Sequence, residues 1–149
     1  MSTIFGGFVT KLNEKIFNMF KEMSKRLYKF EREVGKDVGL NNSETKVIVC
    51  LNEKPGLTHK ELGEVCNADK AAMSRILNKM EQKELILSNH DSNNRKTLHN
   101  KLTEHGKKIA ERIKEMHRKH SEKYFSKLSQ QEYNILTSII SKLLGTAEV

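Results

Sequence analysis

Residues 68–86 read ADKAAMSRILNKMEQKELI. Wound as a helix, this stretch carries Met73, Ile76, Leu77 and Met80 on one side, at the three- and four-residue spacing of an apolar face. The opposite side carries Lys70, Ser74, Arg75, Asn78 and Lys79, all hydrogen-bonding groups. A polar outer face is ordinary on a surface helix, and taken alone this one reads as a solvated face over a core. What it is for depends on the segments on either side.

Upstream, residues 57–62 read LTHKEL. Thr58 is a predicted helix cap, Glu61 completes a capping box and Leu57 can staple onto Leu62. The spacing predicts a short helix to about Cys66 with Leu62 and Val65 on its inner side. Asn67-Ala68-Asp69 then turns the chain into the quoted helix, which ends near Lys83. Two short helices joined by a tight turn make a helix-turn-helix. Downstream, residues 85–102 read LILSNHDSNNRKTLHNKL. Ile86, Ser88 and His90 alternate, as do Lys96, Leu98, Asn100 and Leu102, with the turn formers Asp91, Ser92, Asn93 and Asn94 between them. This predicts a β-hairpin with a polar tip.

A helix-turn-helix followed at once by a hairpin is a winged helix, and its second helix suits a DNA major groove, which admits a helix and displays a distinct pattern for each base pair. Ser74, Arg75 and Asn78 are placed to reach base edges, and Lys70 and Lys79 to reach phosphates. The candidate DNA-binding set also takes in Thr58, His59 and Lys60 at the start of the preceding helix, Ala71, and Asn93, Asn94, Arg95 and Lys96 at the hairpin tip.

The rest of the chain supplies long helices. Apolar residues at 5, 8, 12, 16, 19/20, 23, 27, 30 and 34 predict an amphipathic helix from about Ile4 to Val34. It reads either as one helix along a bundle or as a dimer arm, and a stripe of this length favours a partner surface. Asn41 and Glu44 form a second capping box ahead of the apolar run Val47–Leu51, which is a buried helix rather than a strand because Pro55-Gly56 closes it. Thr103 caps a helix with Ile109, Ile113 and Met116 on one face. Leu128 to Tyr133 repeats the box and staple, and opens a last helix bearing Ile135, Leu136, Ile139, Ile140, Leu143 and Leu144. With 149 residues, one proline and no Ser/Gly linker, the chain is expected to be a single domain, residues 1–149. Its fold class is mainly α with a small β-hairpin.

The formal charge of +8 is spread out: +3 over residues 1–40, −1 over 41–66, +3 over 67–102 and +3 over 103–149. Such a balance favours a polyanionic partner but is a weak signal by itself. No apolar run reaches the roughly 20 residues of a membrane span, and the N-terminus lacks the layout of a signal peptide, so a cytoplasmic protein is expected. No Gly-rich phosphate loop, no Gly-x-Ser-x-Gly elbow and no Cys-x-x-Cys is present. Nucleophile, base and orienting group cannot be nominated together, so no enzyme and no cofactor is expected.

From Leu57 to Gly106 the chain resembles the MarR family of winged-helix transcription regulators. LTHKELGEV, NADKAAMSRILNKMEQKELI with its Ser74-Arg75 pair, and KLTEHG carry the likeness, and the flanking helices extend it over nearly the whole chain. The resemblance implies a homodimer built from the first helix and the last two (residues 1–40 and 103–149) around a DNA-binding core of residues 41–102. It further implies binding to palindromic double-stranded DNA, usually to repress, and release by a small aromatic or amphipathic effector. Phe20, Tyr28 and Phe30 could line an effector site, although dimer core is the favoured reading. One departure stands out. The family's wing usually carries Asp-x-Arg, and here those positions are Asn94-Arg95-Lys96, so the wing is expected to add affinity while reading groove width less sharply.

Some family members sense zinc or oxidants. His117 and His120 lie one helical turn apart, but among lysines and arginines they read as surface histidines. Cys50 and Cys66 read as core packing. The alternative to a DNA-reading regulator is a ligand- or protein-binding helical sensor of the same fold, metal- or thiol-responsive, with weak or no specific DNA binding. A third is non-specific compaction of nucleic acid.

Overall fold

The computed structural model describes the backbone of residues 2–146 and the side-chain surroundings of residues 9–146. Its elements are α1 (Ser2–Asp37), α2 (Asn42–Glu53), α3 (His59–Cys66), α4 (Lys70–Gln82), β1 (Ile86–His90), β2 (Leu98–Leu102), α5 (Glu104–Phe125) and α6 (Gln130–Leu144). They fall into two compact units, residues 1–110 and 111–149. No helix among the described residues is long and apolar enough to cross a membrane.

In the first unit, each short helix starts where its cap dictates. The Asn41 side chain accepts the Glu44 amide at 3.0 Å, and Glu44 accepts the Asn41 amide at 3.0 Å. Thr58 and Glu61 exchange the same pair of bonds at 3.2 and 2.8 Å. Leu57 and Leu62, the two ends of the expected staple, are both buried. The run Val47–Leu51 is helical, with Val47, Ile48 and Leu51 in the core. Met73, Leu77 and Met80 of α4 join them, so the apolar side of the opening sequence faces inward; Ile76 lies half-buried at its margin.

The hairpin is a two-stranded antiparallel sheet in the register Ile86↔Leu102, Ser88↔Asn100, His90↔Leu98. Ile86, Ser88 and His90 share one face of the first strand, and burial along that face falls from Ile86 through half-buried Ser88 to exposed His90 near the tip. The second strand starts at Leu98, so Lys96 belongs to the connecting tip. At the hairpin's exit, Thr103 caps α5 by accepting the Gly106 amide at 3.0 Å while donating to the Glu84 carbonyl at 2.6 Å. Gly106 has no room for a side chain, because a Cβ there would lie 2.1 Å from the Leu85 carbonyl oxygen. The Thr-x-x-Gly spacing thus fixes where α5 leaves the wing.

Three expectations need correction. Val65 is 51% exposed, and the inward residues of α3 are Leu62 and Gly63. An eight-residue helix turns only twice, and Gly63 takes the close approach that a third core residue would have needed. Cys50 and Cys66 are half-buried free thiols rather than full core members. Burial pushes both thiols up from their ordinary pKa; the Glu53 carboxylate adds to this at Cys50 and the nearby Cys50 thiol at Cys66. This is the opposite of what an activated thiol requires.

α1 begins earlier and ends later than its apolar stripe. Val34, in its last turns, is buried. Leu12, Ile16, Met19, Phe20, Met23, Leu27 and Tyr28 are exposed, and Phe30 is half-buried. The side chains of Phe5 and Phe8, which start the stripe, lie outside the described residues.

In the second unit, Ser129 and Glu132 form a third capping box, with bonds of 3.3 and 2.8 Å. Tyr133 stands edge-on to Phe125 with centroids 6.3 Å apart, and Leu128, the other end of the expected staple, lines the same small hollow as both rings. α6 has no buried residue: Ile135, Ile139, Ile140, Leu143 and Leu144 are all exposed, and Leu136 is half-buried.

Candidate nucleic-acid interface

The turn between α3 and α4 is tight because three residues suit it. Asn67 adopts the left-handed conformation, φ 52°, and its amide closes α3 onto the Gly63 and Glu64 carbonyls. The Asp69 side chain then accepts the Ala72 amide at 2.7 Å and starts α4. Gly63 allows the chain to fold back, since a Cβ there would sit 2.9 Å from the Ala68 carbonyl oxygen.

Lys70, Ala71, Arg75, Asn78 and Lys79 are exposed on α4, and Ser74 is half-buried. An open groove of about 1090 Å³ runs between α4, the start of α3 and the wing. It brings together Thr58, His59, Lys60, Lys70, Ser74, Asn78 and Lys96 from three separate segments of the sequence. Ala71, Arg75, Lys79, Asn93, Asn94 and Arg95 do not line it.

Lys79, exposed on α4, also has an acidic neighbour within the protein. Its Nζ lies 3.7 Å from the Glu44 carboxylate, which Lys83 also holds at 3.0 Å. Burial would push the Glu44 carboxyl up, but the Asn41 amide, Lys83 and Lys79 outweigh it and hold it below its ordinary value. His59 is a poor cation: burial pushes its imidazole down against the pull of Glu81 and Asn100, and its Nε2 is buried without a hydrogen-bond partner among the described residues.

The wing tip is tied by its own side chains. The Asp91 carboxylate accepts the Asn93 amide at 2.7 Å, and Asn94 Oδ1 accepts the Lys96 amide at 3.1 Å. Asn94, standing where the resemblance leads one to expect Asp, therefore still orders the backbone at Lys96. The residues that seat the wing lie outside the candidate set drawn from the sequence. Asn100, fully buried, donates from its side chain and its amide to the Leu57 carbonyl at 2.9 and 3.0 Å, and accepts from Ser88 at 2.9 Å. His99 bridges the Gly56 carbonyl at 2.7 Å and Asp91 at 2.9 Å. One signal was available: Asn100 is a polar residue on the apolar side of an alternating strand, and such a residue needs a buried partner.

Among the described residues, no three His, Cys, Asp or Glu side chains are grouped to hold a metal ion. His120 packs against Tyr124 with ring centroids 4.9 Å apart.

Residues 40–98, which hold α2, α3, α4 and most of the wing, match the model of the MarR family. The HTH-type transcriptional regulator PchR of Bacillus subtilis is 25% identical over 141 residues, covering 93% of this chain and 79% of its own. Among solved structures, a mutant MepR from S. aureus superposes with a TM-score of 0.74 at 19% identity, covering 86% of this chain and 95% of its own. A second MepR mutant, bound to an oligodeoxyribonucleotide, gives 0.63 at 19% identity, covering 87% and 96%. The fold is the winged helix that the opening stretch pointed to, and the core of that fold, residues 40–98, is what matches the MarR family model.

Proposed function

We propose that this DNA-binding regulator works as a homodimer on a palindromic operator. Each copy lays α4 in a major groove and sets its wing tip against the neighbouring minor groove. Residues 41–102 carry the DNA contacts, and the helices of residues 1–40 and 103–149 hold the two copies together. One observation carries the reading: a single open groove collects Lys60, Lys70 and Lys96 around the polar side of α4. Cations on three segments suit the two phosphate ridges, and Ser74 and Asn78 between them suit base edges. The MepR mutant with bound oligodeoxyribonucleotide has this fold, which supports the same use of it here.

Two copies follow from the size of the reader. One short helix covers a few base pairs, and two related by a two-fold axis reach successive major grooves about 34 Å apart. The exposed apolar sides of α1 and of α6 offer a second copy something to cover. Release by a small aromatic or amphipathic effector, with repression as the resting action, completes the proposal and places the protein in the cytoplasm with the chromosome. It has no catalytic role.

Selection of bound sites from random duplex DNA at stated salt tests the reading. Recovery of a palindrome, with affinity that falls steeply as salt rises, is the expected result. Steep salt dependence without a palindrome would make the protein a compaction factor. Indifference to duplexes at low ionic strength would leave only a sensor.

A further inference from the structure

We infer that His99 is a positioning residue for DNA binding: as an imidazolium it straps the wing tip to the loop between α2 and α3, and loss of its proton frees the tip. The inference rests on the DNA-reading role proposed above and adds a pH dependence to it.

The geometry carries the point. His99 Nδ1 lies 2.7 Å from the Gly56 carbonyl oxygen and Nε2 lies 2.9 Å from Asp91 Oδ2. A carbonyl can only accept, and an ionised carboxylate can only accept. A neutral imidazole has one N–H and one lone pair, so either tautomer would set a lone pair against an oxygen at one of these contacts. Only the cation, with two donors, satisfies both.

Asp91 is held in its charged form. The Asn93 amide is the chief influence lowering its pKa, with His99 and the Asn94 amide assisting. The groups facing His99 come from several elements. Gly56 lies in the middle of the α2–α3 loop, Asp91 on the wing tip and Glu61 on α3, and all three raise the imidazole pKa above 6.5 against desolvation. Lys54, at the end of α2, acts on Glu61 in turn. Across the hairpin, the residue paired with His99 is the uncharged Asn89.

The strap reaches the candidate DNA contacts through the backbone. The Asp91 amide donates to the Thr97 carbonyl at 2.9 Å, the Thr97 amide to the Asn94 carbonyl at 2.9 Å, and Asn94 orders Lys96. Holding Asp91 therefore holds the loop that carries Arg95 and Lys96. The raised pKa fixes the sign. The protonated strap is complete below the ordinary 6.5 and is lost as pH rises through the higher folded value. DNA that needs the ordered wing binds less tightly in that window.

Two measurements on the full chain test this. The first is an NMR titration of the histidine rings in free protein. We expect His99 to carry protons on both nitrogens with a midpoint above 6.5; a midpoint at or below that value overturns the strap whether or not the protein binds DNA. The second is operator affinity from about pH 6 to about pH 8.5 at fixed salt, which should fall about tenfold in the wild type and stay flat in His99→Gln. Asp91→Asn separates the strap from mere added charge. It removes a negative charge, so simple electrostatics predicts tighter binding at every pH; the strap instead predicts weaker binding and a step moved to lower pH. Tighter binding with an unmoved step would overturn the inference. If no duplex binds to any of these proteins, the DNA-reading role fails and the ring titration alone decides the strap.

Discussion

Glu44 shows how much one residue can do while the sequence displays only half of it. Its box with Asn41 was legible because both partners lie within one turn, where helix-start chemistry fixes the spacing. The nearer of its two lysine partners, Lys83, is 39 residues away, and no local pattern could have supplied it. The carboxylate is almost fully buried, while the Lys83 side chain keeps 35% exposure and stays partly hydrated. That moderates the cost of losing the pair, because an abandoned lysine can turn to water. Glu44→Gln keeps a cap acceptor and removes the charge. We expect it to destabilise the fold by about 1.5–3 kcal/mol at neutral pH, read from denaturant midpoints. A carboxyl held below 4.5 contributes stability that is present above that value and lost as pH falls through its folded pKa. The gap between wild type and variant should therefore close in acid. A gap constant from neutral pH down to about pH 3 would show that the charge is not what matters.

At the scale of the element, the proposed recognition is divided between α4 and the wing. The binary pattern of α4 was fully legible, because an apolar face at helical spacing allows one orientation against a core. What each outward side chain does was not, since several elements share them: Lys79 stands beside Glu44 of α2, and Ser74 is half-buried in the groove. Arg75 is exposed and outside that groove, where a bidentate guanidinium can meet a base edge. Arg75→Ala should cost about 1–3 kcal/mol on the operator and relax preference at one position in each half-site. An equal loss on every duplex would make Arg75 a phosphate contact. The wing should behave in the opposite way. Arg95 and Lys96 are exposed at a tip ordered by Asn94, so replacing both with Ala should weaken binding on all sequences alike. The slope of log affinity against log salt should flatten by about 1 for each phosphate left without its cation. An unchanged slope would take the wing off the DNA. Asn100 on the apolar side of its strand hinted that the wing is seated by a buried polar contact, but its partner and that of His99 are backbone carbonyls of residues 57 and 56, and a carbonyl leaves no trace in residue identity.

Across the whole molecule, the longest signal in the sequence is the one that a single chain does not use. The stripe on α1 repeats at Ile16, Phe20, Met23 and Leu27, alternating steps of four and three, and these side chains are 42, 46, 59 and 55% exposed. Apolar residues normally gather where they can be covered, and a row of this length on an isolated chain exceeds the scattered exposure usual on a monomer. Helical periodicity was therefore enough to find the face, but periodicity never says whose surface will cover it. Leu27→Glu places a charge in mid-stripe, about two turns from Val34, the buried residue that roots α1 in its own unit. The winged helix should keep its fold, seen as an unchanged denaturation midpoint at protein concentrations where the wild type is monomeric. The wild type should sediment as a dimer at micromolar concentration and the variant as a monomer. Since a palindrome rewards two linked readers far more than one, operator affinity should fall by about 100-fold or more, while binding to an isolated half-site stays near that of one wild-type subunit. A variant that remains dimeric would mean that the α1 stripe meets something other than its copy, and the paired spacing of the two α4 helices would then need a different origin.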